Sequence, residues 1–265
     1  IPPPLPSFSK PRFLSFARCD APCIRSSPAR KLGVGASAAN KNPPMCGRYS
    51  HFFTWRQLYE LYRLLMNVDP RPAAARYNAA PGQELPVVVT GEAGRELRMM
   101  LWGLIPYWSK DGGRPYATIN ARAESIATRP AFREPFRHRR CLAPANGFYE
   151  WRREGQHRQP YYVTLPDGPM TFAGLWDRWR GPQGIIQSFT IVTTTASPAI
   201  AHLHERMPAI LAPEHWDLWL DPQAPLPLLE DLLRPWDGEL VIHPVSRAVN
   251  SPAIDDPQLI VPLHQ

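Results

Sequence analysis

Cys46 stands directly after Met45 in the stretch KNPPMCGRYS (41–50), and the chemistry open to it depends on where the mature chain begins. A lone cysteine inside a fold more often packs as a small apolar side chain than acts as a nucleophile. If translation starts at Met45, however, the initiator precedes a small side chain, the situation in which methionine is ordinarily trimmed. Cys46 then becomes the amino terminus and carries a thiol and an α-amine on adjacent carbons. An α-amine of pKa about 7.7–8.0 is partly unprotonated at neutral pH and condenses with an aldehyde to an imine. The thiol, of pKa about 8.5, adds to the same carbon and closes a five-membered thiazolidine.

Three further stretches hold groups suited to proton transfer. ANGFYEW (145–151) is a short apolar run with one acid, Glu150. It reads either as an exposed edge carboxylate or as a partly desolvated acid with a raised pKa, and Phe148, Tyr149 and Trp151 favour burial. HLHERMPAI (202–210) places His204 beside Arg206. A lone histidine is more often structural, but a neutral imidazole beside a cation suits general acid or base work. INARAES (119–125) adds Asn120, Arg122 and Glu124, which by themselves read equally well as the capped start of a helix. Arginines and aromatics interleave in CGRY (46–49), RYNAAPG (76–82) and WGLIPYWSK (102–110). That mixture suits single-stranded nucleic acid, where guanidinium groups hold phosphates and rings stack on bases, and it is also what core aromatics with solvated arginines look like.

The elements that must position these groups are short and mixed. Leu58, Leu61, Tyr62 and Leu65 recur at helical spacing behind Thr54, a residue able to cap a helix. LPVVVT (85–90) and ELRMML (96–101), separated by GEAG, predict a β-hairpin. Further strands are expected at CLAPA, GFYEW, PYYVTL, MTFAGLW, QSFTIVTT and ELVIHPV, with short helices around 123–138, 198–203, 214–220 and 226–234. The order shows no regular βαβ alternation, so the expected class is α+β: one domain, 45–265, with a mostly antiparallel, barrel-like core flanked by short helices.

The chain has 265 residues, 44% of them apolar, enough for one large core. It contains no run of eighteen apolar residues, which argues against a membrane-spanning helix. The formal charge of +7 is uneven: residues 1–44 hold seven Lys or Arg against one acid, Asp20, leaving 23 against 22 from Met45 onward. A basic groove within that nearly neutral remainder is neither required nor excluded. Four cysteines, Cys19, Cys23, Cys46 and Cys141, are too few for a disulfide scaffold and fit a reducing cytoplasm. Cys19 and Cys23 lack a second pair of ligands at zinc spacing, so no metal is expected. Residues 1–44 carry nine prolines and no hydrophobic period, and are expected to be a disordered leader absent from the mature protein.

MCGRY, RYNAAPGQ, WGLIPYW, INARAES, GFYEW, QPYYV, HERMPAIL and HPVSRAVN occur in that order between Met45 and about Asn250. Together they resemble the SOS response-associated peptidase (SRAP) family, whose members crosslink to abasic sites in single-stranded DNA. The resemblance implies that Cys46 forms a thiazolidine with the ring-opened abasic sugar and that Asn120 orients the cysteine and the sugar. It further implies that Glu150 handles protons during imine formation and that His204 assists sugar opening. It places phosphate contacts on Arg48, Arg122 and Arg206, a polar backbone contact on Thr193, and base stacking on the loops of Pro81 and Trp108. Trp108 is followed by Ser109 where many bacterial members carry a second tryptophan. Autopeptidase and strand-nicking lyase activities at the same site are also implied, as is a monomer in the cytoplasm, on the nucleoid, with no organic cofactor. Two other readings stay open: a cysteine hydrolase using Cys46 with His204, and a non-catalytic single-strand-binding module.

Overall fold

The computed structural model describes residues 46–65, 74–112 and 117–263; the expected leader and Met45 lie outside them. From Cys46 the chain passes into β1 (Tyr49–His51) and then α1 (Trp55–Tyr62). Thr54 starts this helix for the reason its sequence suggests. Its hydroxyl accepts the Gln57 N–H while the Gln57 side chain accepts the Thr54 N–H, a reciprocal capping box. Arg63 ends the helix in a left-handed conformation, so Leu65 falls outside it and is exposed.

β2 (Arg76–Ala79) leads to the hairpin of β3 (Glu84–Thr90) and β4 (Arg95–Trp102), paired from Glu84 opposite Leu101 to Thr90 opposite Arg95. β5 (Asn120–Arg122) and α2 (Arg133–His138) precede a run of long antiparallel strands. These are β6 (Arg140–Ala145), β7 (Gly147–Glu154), β8 (His157–Thr164), β9 (Met170–Gly181) and β10 (Gly184–Thr195). β11 (Arg206–Pro208), α3 (Trp216–Leu220), α4 (Leu226–Asp231) and β12 (Val241–Pro244) follow.

The strands form two sheets. One has the order β12-β8-β7-β1-β2 and is antiparallel throughout. The other runs β10-β4-β3-β6-β9, and β9 pairs again with β10, so those five strands close into a barrel and bury their edges in one another. β10 joins β4 and β5 in parallel, the exceptions to an otherwise antiparallel pattern. The α+β class read from the sequence is therefore the observed one.

The period of two along the barrel strands divides the core. Leu85, Val87, Val89, Cys141, Ala143, Phe189 and Ile191 face one buried cluster, shared with Tyr49, Phe148 and Val163 of the other sheet. The intervening Val88, Leu142 and Val192 face a second cluster beneath the helices, with Leu58, Tyr62, Trp216 and Trp219.

Two local expectations are corrected. Residues 198–203 form turns rather than a helix: Ile200 and Ala201 both donate to the Ser197 carbonyl, at 3.1 and 3.0 Å, and Leu203 donates to Ile200. The chain must reverse there within a few residues, because Ala196 N–H bonds Glu205 O at 2.9 Å at the mouth of the loop. Asn120 opens a strand rather than capping a helix, since its neighbours are claimed by pairing to β10.

His51 is fully buried in β1, edge-on to Phe53 at 5.1 Å, and neither ring nitrogen has a hydrogen-bond partner among the described residues. Desolvation pushes its pKa from 6.5 down to about 4. A depressed imidazole contributes its stability fully above the unfolded pKa and loses it as pH falls from 6.5 toward 4. Relative to His51→Leu, the wild-type chain is expected to lose about 3 kcal/mol between pH 7 and pH 4. Urea unfolding of both chains across that range checks this; parallel curves would show that the ring stays hydrated.

Candidate functional site

β1 lies against β7 through Tyr49 opposite Phe148, and Tyr149 N–H bonds Arg48 O at 3.1 Å. Continued past Arg48, this register brings Gly47 level with Glu150 and Cys46 next to it. The Cys46 N–H donates to Glu150 Oε1 at 3.0 Å, in a pair where Cys46 is 1% and Glu150 3% exposed. Cys46 holds a left-handed backbone, φ 43°, an uncommon conformation for a residue with a Cβ. Burial pushes the Glu150 carboxyl up to about 8, against the pull of N–H donors from Cys46 and Trp151. Burial, and then the Glu150 charge, hold the Cys46 thiol well above its ordinary range.

Cys46 shares its buried cluster with Ile119 and Leu203, the residues that precede Asn120 and His204. Asn120 sits half-buried at the start of β5, opposite Ile191 of β10. His204 is also half-buried, and its Nδ1 accepts the Arg206 backbone N–H at 3.1 Å. Burial lowers the imidazole pKa, so the ring is neutral at pH 7, with its proton left for Nε2. Cys46 and Glu150 are thus in direct contact, while Asn120 and His204 each follow a residue of the buried cluster that holds Cys46.

The residues expected to hold DNA are found in different states. Arg122 is exposed at the end of β5, opposite buried Thr193. Arg48 uses Nη1 on Asn78 Oδ1 and Val249 O, both at 2.8 Å, tying the entry of the chain to a C-terminal turn. Arg206 is buried, with Glu124 and Thr193 around its guanidinium. Pro81 lies in the turn after β2, which meets the end of β4 through Gly82 N–H to Trp102 O at 2.8 Å. Trp108 is on the loop that leaves β4 and is 53% exposed.

Sequence reasoning missed two features of that loop. Tyr107 is 57% exposed beside Trp108, so the loop shows two adjacent rings to solvent. Its backbone is pinned from below: Tyr107 N–H to buried Asp177 Oδ2 at 3.0 Å, Ile105 N–H to Ser188 Oγ at 2.7 Å, and Trp179 Nε1 to Ser109 O at 2.7 Å. Exposed rings on a fixed backbone form a platform at little ordering cost. The run of two aromatics was the available signal for Tyr107; nothing local marks Asp177. Among the described residues no group of three or more His, Cys, Asp or Glu stands together as a metal site.

A barrel-and-sheet α+β fold with a buried Cys46–Glu150 pair at its entry defines the class. The model of the SOS response associated peptidase (SRAP) family matches residues 45–252. The chain belongs to that family. It is 35% identical over 221 residues to Abasic site processing protein YoqW of Bacillus subtilis (strain 168), covering 82% of this chain and 99% of that protein. It is 31% identical over 222 residues to Abasic site processing protein HMCES of Gallus gallus, covering 71% of this chain and 66% of that one. A crystal structure of a protein from Bacteroides thetaiotaomicron superposes with a TM-score of 0.76 at 27% identity, covering 83% of this chain and all of that one.

Proposed function

We propose that this protein processes abasic sites in DNA by capturing the lesion covalently through Cys46 once that residue is the amino terminus. The names of its relatives support abasic-site processing. The observation that carries the chemistry is the contact of Cys46 N with Glu150 Oε1, which puts a buried carboxyl of raised pKa on the atom that must attack.

The ring-opened abasic sugar offers an aldehyde. The Cys46 amine adds to its carbon, and Glu150 passes a proton to the resulting hydroxyl, which leaves as water to give the imine. The thiol then adds to the same carbon, its proton passing to the nitrogen, and the thiazolidine closes with one water lost overall. A carboxyl near pKa 8 is suited to this because it can give and take a proton at neutral pH. His204, neutral and with Nε2 bearing a proton, assists the opening of the sugar. Asn120 orients the sugar, Arg48 and Arg122 hold the neighbouring phosphates, Thr193 gives a polar contact to the DNA backbone, and Pro81 and Trp108 flank the bases of a single strand. Strand nicking by β-elimination from the same imine, and removal of the residues ahead of Cys46 by the chain itself, are further reactions of this one site.

A thiolate hydrolase built on Cys46 and His204 needs a depressed thiol pKa, and the environment of Cys46 acts in the opposite direction. The test is incubation of the chain expressed from Met45 with a single-stranded oligonucleotide carrying one abasic site. A product that survives denaturation is expected, and Cys46→Ala abolishes it. Binding without any such product would leave only a DNA-binding module.

A further inference from the structure

β10 carries β5 on one edge and β11 on the other, with Thr193 opposite both Arg122 and Pro208, and Thr195 opposite Arg206. The Arg206 side chain runs back across Thr193, bonding its carbonyl through Nη2 at 2.7 Å and approaching its Oγ1 through Nε at 3.4 Å. It ends on Glu124, two residues past β5, with Nη1 and Nη2 on the two carboxylate oxygens at 2.9 Å each. A planar fork on a carboxylate fixes distance and angle together. All three guanidinium nitrogens are thereby engaged, and the Arg206 side chain is 9% exposed against 51% for Glu124. The same residue donates its backbone N–H to His204 Nδ1.

We infer that Glu124 and Arg206 are positioning residues, a brace across β10 that sets the His204 turn against the Asn120 strand and keeps the His204 proton on Nε2. This rests on the reading of Asn120 and His204 as site groups, and it goes beyond that reading by giving Glu124 a role and Arg206 a task besides contact with phosphate. Nη1 donates one N–H to Glu124 and carries a second, so the brace works with the pair intact. Removing the acid leaves a buried cation without its partner, so the backbone carrying His204 Nδ1's donor shifts.

The experiment compares wild type, Glu124→Gln and the milder Glu124→Asp, with thermal melts confirming folded protein. Three quantities are read: the first-order rate of covalent capture at saturating DNA, the Kd for an oligonucleotide with a tetrahydrofuran abasic analogue that cannot open to an aldehyde, and the 15N spectrum of the His204 ring. For Glu124→Gln the rate is expected to fall about tenfold or more while Kd stays within about threefold, as for a misplaced group rather than a lost binding contact. The Nε2–H signature of His204 is expected to give way to a tautomer mixture, and Glu124→Asp to recover part of both. Tighter DNA binding at an unchanged rate would instead make Arg206 a phosphate ligand that Glu124 competes for, and would overturn the brace. An unchanged rate with an unchanged His204 spectrum would also overturn it. Should wild type form no covalent product, the capture reading fails, and the His204 spectra of wild type and variants still decide the brace.

Discussion

Glu150→Gln is expected to stabilise the chain that retains a residue ahead of Cys46 by on the order of 5 kcal/mol at pH 9, and to leave it unchanged at pH 4. The carboxyl titrates near 8 when folded against an ordinary 4.5, because the folded chain withholds water from its charged form. A raised acid contributes its full share below the unfolded pKa and loses it as pH rises from 4.5 to about 8. Gln keeps an oxygen for the Cys46 N–H and has no charge to bury. Paired urea titrations at the two pH values test this, and equal stability at pH 9 would mean that the site admits water. In the chain beginning at Cys46 the gain shrinks, since an ammonium then faces the carboxylate and repays part of its desolvation. The same substitution removes the proton carrier from the capture step, so stability and activity move in opposite directions at this one position.

A chain that keeps any residue ahead of Cys46 is expected to give no denaturation-resistant DNA product, a complete loss compared with the chain that begins there. In the longer chain the nitrogen's lone pair is delocalised into a peptide carbonyl and does not attack an aldehyde. The thiol alone forms only a hemithioacetal, which reverses on denaturation. The Cys46-initiated product should weigh the sum of protein and DNA less one water. Equal yields from both chains would show that the amine is dispensable and remove the thiazolidine from consideration. Cys46→Ser separates the two nucleophiles: its amine still makes an imine, which borohydride fixes, while the unreduced adduct is lost.

Local chemistry made the first helix and the first hairpin legible. Thr54 and Gln57 write their capping box within four residues, and the alternation of Leu85, Val87 and Val89 shows which face is buried. What escaped was set at long range. β1, β5 and β11 are three residues each, too short to show a period, and exist because a neighbouring strand supplies their partners. At the site, the aromatics around Glu150 foretold its burial, but its partner Cys46 lies 104 residues away and was reached through resemblance. The Glu124–Arg206 and Asp177–Tyr107 contacts span 82 and 70 residues, and no local pattern announces either.

β10 accepts β9 and β11 along one margin and β4 and β5 along the other, so one strand sets the alignment of the elements bearing Asn120, Thr193 and His204. A slip of one residue along it would turn Thr193 to the opposite face and disengage Arg206 in the same movement. Register and the Arg206 bonds are therefore expected to be lost together. Backbone amides of Ile191 to Thr193 should exchange with solvent only when the whole barrel opens, and loss of the reactive geometry should coincide with global unfolding.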